Sequence, residues 1–284
     1  MRWKERIIEK ALLLVTLSSI LGLALITVFI FKEGVPFILK QDIARFFLSS
    51  DWWPADKPPA FNILSMIVGT VFVTIGAMIL GVPLGLGCAV FLTEHAPRSV
   101  AAVLKPALEL LAGIPSVVYG FIGMIFLVPF IRYFWGGTGF SMLAGAIVLS
   151  IMILPTIISI SVDAISAVPR SYRDGSIALG ATKWQTTHMV IIKAARSGIV
   201  SAIILGMGRA VGETMAVIMV AGNAKHVPRS ILSAFRTLTS TMGLEMSYAT
   251  GDHQKALFAV GVVLFVMIMI LNSIALLASK RRTG

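Results

Sequence analysis

The residues best suited to chemistry are an arginine and a glutamate four positions apart inside an apolar run, Gly208-Arg209-Ala210-Val211-Gly212-Glu213-Thr214. An arginine at the centre of a membrane-spanning helix costs about 2.5–3.5 kcal/mol on insertion scales, so its presence there needs a reason. Positions four apart share one helix face, which lets Arg209 and Glu213 pair as ions. Gly208 and Gly212 keep that face open for a neighbouring helix or a solute. One reading is a structural ion pair between packed helices. The other is an anion path, in which the planar guanidinium of Arg209 meets an oxyanion through paired donors. Glu213 then holds Arg209 when the path is empty and opposes tight trapping of the anion. Intramembrane charges usually mark a function, which favours the path and includes Thr214 in it.

Other polar residues are weaker candidates. Ser116 and Tyr119 would either hydrogen-bond a passing oxyanion or satisfy backbone freed by Pro115. Arg236, with Thr237, Thr239, Ser240 and Thr241, forms a hydroxyl-rich basic segment suited to a vestibule. Lys105 and Glu109, four apart, read as a local ion pair. His95, His188, His226 and His253 are scattered without metal-ligand spacing. The single Cys88 lies in an apolar run and reads as a small buried hydrophobe, so no intrachain disulfide forms.

A second kind of chemistry belongs to the polar stretch at about 171–192. Ser171 is placed to cap a short helix containing Asp174, and Gly180 then breaks the stretch before Ala181 and Trp184. Two short helices around a glycine elbow make a knob. It would dock in a partner's groove with Trp184 as anchor, or lie on lipid headgroups with Trp184 in the aromatic belt.

The elements that must position these residues are apolar. Of 284 residues 57% are hydrophobic and only 13% charged, about half the charge of a soluble domain. Runs long enough to cross a hydrocarbon core recur at 11–31, 63–92, 107–131, 140–162, 197–221 and 256–279. The first exceeds a signal-peptide core and no small-x-small site closes it, so it is expected to be retained. Pro83, Pro115, Pro129 and Pro155 fall within these runs, as membrane helices tolerate. Gly81 with Gly85, and Gly208 with Gly212, have the spacing of close helix packing. With the N-terminus inside, fourteen Lys and Arg lie on cytoplasmic segments and nine on the longer outer ones, so both termini are expected in the cytoplasm.

Some functions are excluded. The net charge of +11 reflects loop Lys and Arg, with no basic, aromatic-interleaved platform for nucleic acid. There is no P-loop and no nucleophile–base constellation, so the chain is expected to be non-enzymatic. The glycines at 206–212 have the wrong spacing for a dinucleotide fingerprint and no preceding strand.

The 171–192 stretch resembles the coupling loop of binding-protein-dependent ABC importer permeases. That pattern is Glu-Ala-Ala, three residues, Gly, nine residues, then Ile-x-Leu-Pro; here the positions are Asp174-Gly175-Ser176, Gly180, and Val190, Ile192 and Lys193. The glycine and spacing agree, while Asp174, Gly175, Ser176 and Lys193 depart from it. The segment around Arg209 is similar to the phosphate permeases of that family, the PstC type more than its PstA-type partner. So are Ala112-Gly113-Ile114-Pro115-Ser116-Val117-Val118-Tyr119-Gly120, Leu154-Pro155-Thr156 through Asp163, and Arg236-Thr237 through Glu245.

The resemblance runs from about Asn62 onward. It implies an all-α polytopic fold of the type I importer permease kind, with Arg209 and Glu213 on the translocation path. Asp174, Gly180, Ala181 and Trp184 would couple to a separate P-loop ATPase, which would hold ATP and Mg, leaving this chain without a cofactor. Further implied partners are a PstA-type permease and an extracytoplasmic phosphate-binding protein, in the cytoplasmic membrane with its lipid. Three parts are expected: 1–61 with the first helix and outer loop, the transmembrane domain at 62–279, and a basic tail at 280–284. The rivals are the same role for sulfate, molybdate or phosphonate, and a proton-coupled secondary transporter using Glu213. The latter needs internal repeats and discontinuous helices in corresponding halves, which the apolar runs do not show.

Overall fold

The computed structural model describes the backbone of residues 2–280 and the side chains of 7–277. Past Lys280, the expected basic tail lies outside the described residues, as do the side chains of Arg2, Lys4 and Arg6. Five continuous helical stretches are long and apolar enough to cross a membrane: Ile7–Lys40, Leu64–His95, Ser116–Trp135, Met142–Ser166 and Asp252–Leu277. A sixth is possible if the pair Lys183–Ala194 and Arg196–Gly212, bent by 70°, counts as one.

Helix α1 (Arg2–Lys40) opens with charged residues and then turns apolar from Ala11, and its described side chains up to Leu21 are exposed. Its second half docks on the C-terminal helix. There Gly34 lets the two backbones approach, a Cβ at that position falling 2.7 Å from the Phe258 carbonyl oxygen. Edge-to-face pairs Phe29–Phe258 and Phe31–Phe265 flank the contact at 5.3 and 5.5 Å. Beyond α1 comes α2 (Ile43–Leu48), capped by the Asp42 carboxylate, which accepts from the amides of Ala44 and Arg45. A two-residue ladder of β1 (Trp52–Trp53) and β2 (Ala60–Phe61) follows. These pieces form a cap around the fully buried Trp52 and Phe46.

Helix α3 (Leu64–Val90), extended by a π-turn at Phe91–His95, packs lengthwise on a later helix that forms the centre of the bundle. Next, the single span expected at 107–131 is two helices, α4 (Arg98–Gly113) and α5 (Ser116–Ile122). The break falls at Ile114, which is extended because a residue before proline is driven out of the helical region. Helix α5 runs through a π-turn at Gly123–Leu127 into α6 (Val128–Trp135).

The central helix is α7 (Met142–Ser166), started by the Ser141 hydroxyl, which accepts from the Ala144 amide at 3.2 Å. Three glycines of α3 seat its ridges: a Cβ would lie 2.9 Å from Ala146 at Gly76, 2.9 Å from Ile153 at Gly81 and 2.8 Å from Ile157 at Gly85. The packing expected of Gly81 and Gly85 is therefore present. Pro83 and Pro155 lie inside unbroken helices.

After α7 come the knob helices α8 (Arg170–Ala178), α9 (Lys183–Gln185) and α10 (Ile192–Ala194), the last two joined by a π-turn. The crossing expected at 197–221 is also broken, into α11 (Arg196–Gly212) and α12 (Met215–Val220). Gly206 of α11 fits over Ile157 of α7, and Gly120 of α5 fits against the Ala216 backbone of α12. Helix α13 (Leu238–Glu245) completes the cap, and α14 (Asp252–Lys280) leads back along α1. Two crossings are thus discontinuous, contrary to the sequence reading. Hydropathy averages over the one or two residues at which a helix stops.

Candidate functional site

Arg209 lies in the last turn of α11, half-buried within the apolar bundle. The expected ion pair with Glu213 is not formed, and among the described ion pairs Arg209 has no carboxylate partner. The reason is local. Helix α11 ends at Gly212, and Glu213 is extended, at φ −69° and ψ 129°, so the four-residue helical relation is lost. The Glu213 carboxylate instead turns forward and accepts from the Ala216 amide at 3.0 Å. It sits at the positive end of α12, where a carboxylate belongs. Its own carbonyl accepts from the Thr239 hydroxyl at 2.9 Å, which ties the break to α13.

The Arg209 guanidinium has one described hydrogen bond, a long one of 3.4 Å to the Thr156 hydroxyl of α7. It is also within electrostatic reach of the Tyr119 phenol. A Cβ added at Gly208 or Gly212 would meet nothing within 4 Å, so the face beside Arg209 is open and leaves room for a neighbouring helix or a solute. Among the described residues these two glycines pack against no helix, which corrects the packing reading for that pair. The result is a fork of five N–H donors, four of them unmatched within the described residues, on a helix whose glycine face is open.

Tyr119 has a structural task. Its hydroxyl donates to the Leu111 carbonyl at 2.6 Å, four residues before Pro115. Proline has no N–H for that carbonyl, which takes the Ile114 amide at 3.3 Å in its place, and Tyr119 adds a second bond that splints the α4–α5 break. Ser116 is half-buried at the first position of α5, on the same break. The Thr214 hydroxyl donates to the Gly212 carbonyl at 3.3 Å, and its methyl abuts Gly243 of α13.

Arg236 is placed apart from these residues. It is 7% exposed and bound to the Glu245 carboxylate, not open to a vestibule. The same carboxylate accepts from Trp52 Nε1 at 2.8 Å and is bonded to His253 Nε2 at 2.8 Å. Burial would raise the Glu245 pKa, but the bonds from Trp52, Arg236 and His253 outweigh it and hold the carboxyl below its ordinary value. Thr237, Thr239, Ser240 and Thr241 are buried with it, Thr237 and Ser240 forming a capping box for α13. Hydroxyls read as a wet rim are the internal bonding of the cap.

At the opposite end, α8 starts after Pro169, and Ser171 lies inside its first turn without capping it. The elbow is as expected: Gly180 has φ +86°, its amide reaching the Ile177 carbonyl and the Ala181 amide the Ser176 carbonyl, at 2.9 and 3.2 Å. That pattern is a Schellman stop, which favours glycine. Asp174 is exposed on α8 and Ala181 half-buried after the elbow. A groove of ≈ 790 Å³ runs along α8, walled by Tyr172, Leu179 and Met189. Leu179 is 91% exposed, and Trp184, 66% exposed, stacks on His188 with ring centroids 5.8 Å apart.

Sequence reasoning missed how the knob is held. Arg173 reaches the Glu94 carboxylate at 2.6 Å and donates to the carbonyls of Val168 and Ile165, beyond and within the C-terminal turn of α7. An arginine beside the expected coupling residue Asp174 was the available signal, but its partner lies 79 positions away.

Residues 81–284 match the family described as binding-protein-dependent transport system inner membrane component. The "Probable ABC transporter permease protein YqgH" of Bacillus subtilis is 45% identical, over 90% of this chain and 85% of its own length. The "Phosphate transport system permease protein PstC" of Mesorhizobium japonicum is 37% identical over 84% of this chain and 80% of its own. Among solved structures, a bacterial alginate ABC transporter in complex with a pentasaccharide-bound periplasmic protein superposes with a TM-score of 0.68. It covers 99% of this chain and 96% of its own at 14% identity, a likeness of fold alone.

Proposed function

The chain belongs to the family of binding-protein-dependent transport system inner membrane components, and we propose that within such a system it carries inorganic phosphate. It is a multi-pass inner membrane protein with the all-α fold of type I ABC importer permeases. The family implies an ATPase and a binding protein as partners.

The observation that carries the phosphate reading is Arg209. A guanidinium inside an apolar bundle, with no carboxylate partner among the described residues and beside an open glycine face, is expensive unless an anion or water meets it. A planar fork of donors suits a tetrahedral oxyanion. The resemblance to phosphate permeases over most of the chain narrows the anion. Ser116, Tyr119 and Thr214 border the same path, while Glu213 sets where α11 stops. Arg236 serves the cap and stays out of the path.

The knob end faces the cytoplasm in this reading, with both termini, because the Lys- and Arg-rich segments gather there. Asp174, Gly180, Ala181 and Trp184 meet the ATPase, which holds ATP and Mg and does the hydrolysis. A PstA-type permease forms the other half of the pore, and an extracytoplasmic phosphate-binding protein docks on the cap. The test is competition in the reconstituted complex. Unlabelled phosphate should suppress labelled phosphate uptake, with sulfate, molybdate and phosphonates weak; suppression by one of those in preference would reassign the substrate.

A further inference from the structure

On the knob side of Arg209 lies a cavity with charged walls that the path described above does not use. It has a volume of ≈ 230 Å³ and lies between α4 and α7. Lys105, Glu109 and Ala112 line it from α4, and Pro155, Ser159 and Asp163 from α7. Each set recurs every three or four residues, so each is one helix face. The ion pair expected between Lys105 and Glu109 is absent from the described ion pairs. Both are exposed, and both line a space that Asp163 lines from the facing helix.

Arg209 does not line this cavity, but its partner Thr156 stands on α7 next to the cavity-lining Pro155. Thr156, which accepts from Arg209, is on α7 three residues before Ser159 and seven before Asp163, a stripe along one side of the helix. At 1.5 Å per residue the stripe descends about 10 Å from Thr156 to Asp163. Across it, Ala112 follows Leu111, whose carbonyl holds Tyr119 beside Arg209. The hydroxyls of Thr156 and Ser159 therefore lead from one cation to the other.

We propose that this cavity is the inner exit station of the anion path, with Lys105 as the cation that draws a tetrahedral oxyanion down from Arg209. The inference rests on the phosphate-path reading given above. Lys105 is a mobile point charge with three donors, suited to brief contact where Arg209 is suited to defined geometry. Glu109 and Asp163 limit the stay: once the anion is bound they repel it and compete for the ammonium. A conducting site must bind well enough to admit its ion and weakly enough to release it.

The test uses the assembled importer with its ATPase and binding protein. Lys105→Ala should lower phosphate uptake about tenfold, the loss expected of one charge-assisted hydrogen bond, and Lys105→Arg should restore most of it. Half-saturation, set by the binding protein, should stay fixed. In a Cys88→Ala background, needed because Cys88 is exposed, the Lys105→Cys thiol should react with an anionic thiosulfonate from the cytoplasmic face, more slowly during phosphate transport. Uptake by Lys105→Ala equal to the wild type, or labelling indifferent to phosphate, would overturn the exit station. If Arg209→Ala is then inactive, the path itself stands; if Arg209→Ala also transports normally, both readings fall.

Discussion

The Arg173 guanidinium on the knob and the Glu94 carboxylate at the end of α3 meet at 2.6 Å, while Arg173 also serves two carbonyls at the end of α7. One side chain thus joins the knob to two membrane helices that pack along their length. A rotation of the knob cannot leave those helices unmoved while this contact holds.

Arg173→Ala is therefore expected to separate the two halves of the cycle. Hydrogen bonds to charged groups are worth about 1.5–3 kcal/mol, enough to lower coupled uptake roughly tenfold or more. ATP hydrolysis by the complex should continue. Glu94→Arg with Arg173→Glu should rescue only partly, because a glutamate cannot donate to Val168 and Ile165. Parallel measurement of ATPase rate and uptake decides this; equal loss of both, or of neither, excludes the tie-rod role.

Gly180 makes a second case. A Cβ there meets nothing within 4 Å, so its requirement is conformational, from φ +86°. A left-handed residue other than glycine costs about 1–2 kcal/mol. Co-purification of the ATPase should rank Gly first, then Asn, Ala and a β-branched residue last. Equal retention by Gly180→Val would show that the elbow does not set the knob's shape.

The cap should be acid-labile. Glu245 is held below its ordinary value of 4.5, so the folded cap binds its proton less readily than the unfolded chain. Its stabilisation is then complete above the unfolded carboxyl value and is lost as pH falls through the lower folded value. The melting temperature should drop over that acidic window. Glu245→Gln should lower it at neutral pH and flatten the pH response; an unchanged response in that variant would locate the acid sensitivity elsewhere.

Much of the bundle was legible because apolar runs act locally, and Gly180 had to stop a helix. The break before Pro115 was not, because Pro83 and Pro155 lie inside unbroken helices and a proline alone does not announce a stop. The Arg209–Glu213 pair failed for an equally physical reason: four-residue pairing assumes a continuous helix, and Gly212 ends it. Arg236 could not be placed from sequence, since its burial depends on Glu245 together with Trp52, which lies 193 positions from that carboxylate. Nor could the exit cavity, because Lys105 and Asp163 come to line one space only once α4 and α7 pack.

Uptake of labelled phosphate by cells whose sole phosphate importer carries Arg209→Ala is the most direct measurement. Loss of a charged, multi-donor contact worth about 3 kcal/mol should cut uptake roughly a hundredfold, with Arg209→Lys intermediate. Membrane insertion and co-purification with the ATPase should be unaffected, since among the described residues Arg209 makes one long bond. Wild-type uptake by an assembled Arg209→Ala importer would contradict the assignment of Arg209 to the phosphate path.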